Sequence, residues 1–191
     1  MAMADLETRL ASDVDRYFPD LVRIHQNAVF SAARRLVPTR EDAQDVTQET
    51  FVRAHRALHG YEAARIRELR TRPWLARIAV NLCRNRARDA ARRPHLVVLP
   101  EGLDPADASA AGPADAAERV AEAEQWRERL AALPPGQAAA VVLRHVWGMP
   151  YADMAEALDV PVGTAKANVH RGLAALRALL DAETTITEVR R

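Results

Sequence analysis

Leu21, Ile24, Ala28, Ala32 and Leu36 fall three or four residues apart, which predicts a helix over about 18–37 with one face turned to a core. Pro38 closes it, and Thr39 caps the next helix, with Asp42 at the third helical position in a near capping box. That helix runs to about Leu58 and turns Val46, Thr50, Ala54 and Leu58 inward. Residues 59–72, with Gly60 and several arginines, form a connector with room for one helical turn. Pro73 suits the first position of a third helix, in which Trp74, Leu75, Ile78, Ala79 and Leu82 face inward. Arg77, Arg84, Arg88 and Arg92 project from its other side.

From 94 to 117 the periodicity dissolves into proline, glycine, alanine and aspartate, the composition of a flexible linker. Extended at ~3.4 Å per residue, such a segment reaches about 80 Å. Helical spacing resumes over 117–133, breaks at Pro134-Pro135, and returns through Val141, Val142, Leu143 and Val146. A short helix carrying Met154, Ala155 and Leu158 then ends at Asp159-Val160-Pro161, because proline lacks a backbone donor and pushes its predecessor out of the helical region. A last helix restarts near Thr164, whose hydroxyl is placed to cap it. Ala165, Val169, Leu173, Leu176 and Leu180 form its apolar stripe, while Lys166, Asn168, His170 and Arg171 occupy the opposite face. Such a pair of helices is a helix-turn-helix whose second member reads a major groove. The plainer reading is a helical hairpin with a solvated face.

Composition supports an all-α protein: alanine, leucine and arginine dominate, and glycine and aromatics are scarce. The layout is two small helical domains, 17–93 and 118–181, joined by the flexible acidic linker 94–117, with tails at 1–16 and 182–191. The net charge of +1 says nothing of partners, but its distribution does. Nine arginines lie between Arg67 and Arg93, against Glu68 and Asp89, whereas the following stretch to Glu124 is acidic. A basic block beside an acidic one implies local binding of a polyanion. Cys83 stands alone, which excludes an internal disulfide and a thiolate zinc cluster. The absence of a membrane-length apolar run and of a signal-peptide pattern points to a cytoplasmic protein.

Asp42, Asp45 and Glu49 share one helical face. Attraction to the positive end of their own helix accounts for Asp42, partly for Asp45 and poorly for Glu49. A carboxylate stripe flanking Gln48 and Phe51 suits a basic partner.

DAQDVTQETFVRAHRAL, then RPWLARIAVNLCRNRARDAARR, then LPPGQAAAVVLRHVWGMPYADMAEALDVPVGTAKANVHRGLAALRALL occur in this order. Together they resemble regions 2 and 4 of the extracytoplasmic-function (group IV, sigma-70 class) sigma factors of bacterial RNA polymerase, over about 17–93 and 118–181. The resemblance implies a protein that binds core polymerase, directs it to promoters through −10 and −35 elements, and helps melt the −10 region. It assigns Asp42, Asp45, Gln48, Glu49 and Phe51 to docking on the β′ clamp helices, with the β subunit as a second polymerase contact. Arg77 and Asn81, in the R-I-A-x-N pattern, fall where region 2 handles the −10 element, with Asn81 against an unstacked non-template base. Asn81 can equally bond within its own helix. Trp74 can support the single strand or belong to the core. Arg84, Arg86, Arg88 and Arg92 suit phosphates, which supply affinity without sequence information. Thr164, Lys166, Asn168, His170 and Arg171 fall on the helix that reads duplex −35 DNA. Ala167 and Asn168 depart from the family's serine and arginine, and the 59–72 connector is a few residues longer than the family's. A cognate anti-sigma factor is a further partner the resemblance allows.

Two other readings stay open. One is a conventional helix-turn-helix regulator, which would carry a ligand-binding or receiver domain in place of 17–93. The other is a helical interaction protein whose polar faces are merely solvated. Nothing suggests catalysis: the chain lacks a phosphate-binding glycine loop, and no cofactor or metal is expected. His25, His55, His59, His95, His145 and His170 read as scattered, with no pair at metal-ligand spacing.

Overall fold

The computed structural model describes residues 3–92 and 113–189, and among these nine helices follow one another without a strand. A first module comprises α1 (Met3–Ser12), α2 (Val14–Leu36), α3 (Arg40–His59), α4 (Ala63–Arg67) and α5 (Thr71–Arg92). A second comprises α6 (Pro113–Ala131), α7 (Pro135–His145), α8 (Tyr151–Leu158) and α9 (Val162–Val189). The segment expected to be a linker lies mostly outside the described residues, and its end from Pro113 belongs to α6.

Local chemistry sets the boundaries. Asp13 caps α2 by accepting the Arg16 amide at 3.0 Å, and Thr39 caps α3 by accepting the Asp42 amide at 3.0 Å. α8 ends on Asp159, whose φ of 57° is left-handed, and the Val160 amide returns to the Ala155 carbonyl at 3.0 Å. The left-handed cap therefore stops α8, and Pro161 serves the next helix by accepting the Ala165 amide at 3.0 Å. Since α9 begins at Val162, Thr164 sits inside its first turn and is not its cap. Likewise α5 begins at Thr71, two residues ahead of Pro73, because the Trp74 amide can bond the Arg70 carbonyl at 3.1 Å.

Within the expected N-terminal tail, Met3–Ser12 form α1, which packs into the first module. Leu6 and Leu10 of α1 are buried, and the Thr71 hydroxyl donates to the Glu7 carboxylate at 2.8 Å in a buried contact. A ten-residue helix is marginal alone; packing against α2 and α4 holds it, and a chain pattern of that length barely signals it. At the other end α9 continues past 181 to Val189, so residues 182–189 extend a helix.

The two modules share one continuous hydrophobic core, which includes Leu21, Val29, Leu75 and Val80 from the first and Leu133, Val142, Trp147 and Met154 from the second. α5 packs on α8, and α2 on α6 and α7. The composition of 94–117 predicts separate modules, and the structure shows them closed on one another.

Candidate functional site

On α3 the exposed face carries Asp45, Gln48 and Val52, with Asp42 and Glu49 half-buried beside them. Asp42 and Asp45 are bridged by Arg86 of α5, at 2.9 Å each. The Asp45 carboxylate, by its hydrogen bond above all, raises the affinity of that guanidinium for its proton. Arg86 thus braces the acidic stripe, where the sequence reading grouped it with phosphate contacts. Glu49 pairs with Arg53 at 2.7 Å. Phe51, expected on this face, is 7% exposed and packs edge-on against Phe18, with ring centroids 6.4 Å apart. The apolar residue that does face outward is Val52, 41% exposed and one turn beyond Gln48. Its four-residue spacing from Gln48 is the sequence signal for this placement.

Trp74, Arg77, Asn81, Arg84 and Arg88 succeed one another at three- and four-residue steps and form one stripe along α5. Trp74 is half-buried at the root of this stripe and packs on Tyr61, with ring centroids 6.2 Å apart. Arg77, Asn81 and Arg88 are exposed, and Arg84 is half-buried. Arg88 donates to Asn85 Oδ1, which keeps its guanidinium along the helix surface.

α9 buries Ala165, Val169 and Leu176 against α7 and α8 and leaves Thr164, Lys166, His170 and Arg171 exposed. Asn168 is half-buried and accepts from Arg171 at 2.9 Å. Gly172 permits this packing: a Cβ there would come 2.7 Å from Val141 Cγ2 and 3.3 Å from the Gln137 carbonyl oxygen.

The α5 and α9 stripes are brought near one another by the α5–α8 contact. Arg70 pairs with Asp153 and with Glu156, the latter at 2.8 Å; Arg72 donates to the Trp147 carbonyl; Arg77 pairs with Asp159 at 3.1 Å. The helix-turn-helix therefore contacts the N-terminal end of the α5 stripe through Arg77.

The histidines are not all scattered. His55 and His59 lie one turn apart on α3, and each places Nε2 3.0 Å from Asp15 Oδ1 of α2. The four-residue spacing that puts two imidazoles on one helix face was visible in the sequence; the partner carboxylate, some forty positions earlier, was not. Among the described residues no helix is long and apolar enough to cross a membrane.

A helical module with a polar stripe, followed by a helix-turn-helix module, defines a bipartite DNA-reading class of protein. The sequence matches the family described as Sigma-70 region 2 over residues 21–93 and the family described as Sigma-70, region 4 over residues 123–176. It is 34% identical over 84% of its length to the ECF RNA polymerase sigma factor SigE of Mycolicibacterium smegmatis, of whose own length it spans 60%. It is 35% identical to the RNA polymerase sigma-E factor of Streptomyces coelicolor, covering 84% of each chain. With the ECF RNA polymerase sigma factor SigM of Mycobacterium tuberculosis it shares 35% identity, over 93% of this chain and 84% of that one. Its structure superposes on that of CnrH in complex with the cytosolic domain of CnrY with a TM-score of 0.71 at 29% identity, covering 94% of this chain and 97% of that one. The fold also matches the sigma factor RpoE of Bartonella quintana, solved with the anti-sigma factor NepR, with a TM-score of 0.62 over 86% and 96% of the two chains at 21% identity. The chain belongs to the extracytoplasmic-function sigma factors, the alternative sigma factors that direct RNA polymerase to promoters.

Proposed function

We propose that the three stripes divide the work of promoter recognition among themselves. The exposed face of α3, built from Asp45, Gln48, Glu49 and Val52 with Asp42 behind them, docks the first module on the polymerase core. The α5 stripe, from Arg77 through Asn81 to Arg88, takes the −10 element, Asn81 offering an amide to an unstacked base and the arginines holding phosphates. Thr164, Lys166, His170 and Arg171 on α9 enter the major groove at −35, and Asn168 contributes through the orientation it gives Arg171. The chemistry of RNA synthesis is left to the polymerase, and the protein acts in the cytoplasm.

The observation that carries this reading is α9, a long helix buried along one side behind a left-handed turn, with its cationic and amide side chains on the open side. The closed pairing of the modules belongs to a resting form. Elements at −10 and −35 lie about 85 Å apart at ~3.4 Å per base pair, whereas packed helices sit only ~8–10 Å apart. α5 and α9, with α8 between them, cannot serve both elements until the modules separate. The Bartonella sigma factor was solved with an anti-sigma factor, and a protein of that kind would act here by holding this closed pairing.

Equilibrium binding of a fluorescent −35 duplex to the full-length protein tests the α9 assignment. Lys166→Ala and Arg171→Ala each weaken binding and flatten its salt dependence, since each removes about one phosphate contact. Unchanged affinity and salt slope in both would overturn it.

A further inference from the structure

Asp15, His55 and His59 form a cluster that promoter recognition does not use. Their ligand atoms make a small triangle: each imidazole Nε2 is 3.0 Å from Asp15 Oδ1, and the two Nε2 atoms are 3.3 Å apart. From this triangle we propose that the first module carries a binding site for a divalent transition-metal ion of the Zn2+ type, held by Asp15 Oδ1 and the Nε2 atoms of His55 and His59.

The alternative is a plain hydrogen-bonded cluster, and its geometry is poor. For both histidines to donate to Asp15, both must carry the proton on Nε2. The two N–H dipoles then stand side by side at 3.3 Å, a mutual repulsion that one shared carboxylate oxygen has to offset. A cation removes the conflict, because three lone pairs then converge on one positive centre. The dimensions agree. An ion about 2.0–2.1 Å from each of three atoms with these separations would subtend ligand angles of about 91–111°, spanning octahedral to tetrahedral values. Two imidazoles and one carboxylate are the donors that zinc, cobalt and nickel accept, whereas calcium and magnesium take oxygen.

The surroundings orient the ligands. Phe51 in the core supports Phe18, and Phe18 stands edge-on to His55 with ring centroids 4.7 Å apart. His55 in turn meets His59 at 4.5 Å, so a row of four rings leads from core to surface and fixes the imidazole pair. Asp15 belongs to the first turn of α2, and Pro19 four residues later has no N–H to give the Asp15 carbonyl. That turn is therefore weakly held by its own helix, and a bound ion would tie it to the last turns of α3. All three ligands reach solvent, so the ion enters from solution and keeps at least one position for water or for a partner's side chain.

The test is titration of untagged full-length protein with Co2+, read by its ligand-field absorption, followed by competition with Zn2+. One ion per chain is expected. Asp15→Asn, His55→Ala and His59→Ala are each expected to weaken binding at least tenfold, while exposed His145→Ala leaves it unchanged. Thermal unfolding is expected to shift upward with Zn2+ in the unaltered protein and not in the His55→Ala/His59→Ala double variant. Asp15 and His59 are exposed and His55 is half-buried, and circular dichroism verifies that the variants fold. Failure of the unaltered protein to saturate with Co2+, or binding that survives the double variant, would overturn the proposal.

Discussion

Arg77 Nη2 lies 3.1 Å from Asp159 Oδ2, so a residue of the α5 stripe is paired with the left-handed residue of the helix-turn-helix turn. Arg77 cannot hold this carboxylate and a promoter phosphate at once. Under the proposed division of work, this contact couples the arrangement of the modules to DNA binding.

Charge reversal at the clasp opens the molecule. Arg70 and Arg77 are about half exposed, and each such pair contributes no more than about 1 kcal/mol. Arg70→Glu with Arg77→Glu is expected to increase the radius of gyration in small-angle scattering and to shift the open population several-fold. The shared apolar core limits the effect. An unchanged scattering curve would show that apolar burial alone holds the closed form.

Gly172→Ala destabilises the second module. Its methyl group would arrive 2.7 Å from Val141 Cγ2, and overpacking of this kind costs about 1–3 kcal/mol. The measurement is the midpoint of thermal unfolding, which is expected to fall by several degrees. An unchanged or raised midpoint would mean that α7 and α9 can part without cost.

His25 makes stability depend on pH. It is 4% exposed, and burial, with the nearby positive charge of Arg72 second, pulls its pKa down to about 4. The unfolded chain protonates this ring near the ordinary value of ~6.5, so the unfolded state gains protons first as pH falls. Stability is complete above about pH 7 and declines between about 6.5 and 4. Denaturant unfolding across that range checks it, with a shallower decline expected for His25→Gln. Equal slopes in the two proteins would remove His25 as the cause.

Asp45→Arg with Glu49→Arg abolishes binding to core polymerase while helicity is retained, since both residues sit on the outer face of α3. Pull-down of core is the readout. Because Asp45 also pairs with Arg86, Arg86→Ala serves as the companion: it loosens the brace but leaves the stripe acidic, and core binding persists. Capture of core by the double variant would overturn the docking assignment.

Helices α2, α3 and α5–α9, and the polar faces of α3, α5 and α9, were legible because each follows from spacing of three and four within one segment. The burial of Phe51 was not legible because Phe51 and Val52 are adjacent, and only packing against Phe18 decides which of them faces inward. The docking of α1 was not legible because it comes from Leu6 and Leu10 meeting a core assembled from distant elements. The Asp15 and Arg86 contacts are long-range pairings, and no local pattern announces them. The closed arrangement rests on Arg70, Arg72 and Arg77 finding partners more than seventy positions away, across the segment that reads as a linker.

The central claim is that α5 and α9 together choose promoters for the polymerase. Run-off transcription with purified core, this protein and a genomic promoter library, with transcript starts sequenced, tests it most directly. The expected result is a set of starts that require the protein and share −10 and −35 elements, with Asn81→Ala depressing use of the first and Lys166→Ala use of the second. Starts that lack shared elements, or that both variants support as well as the unaltered protein, would contradict it.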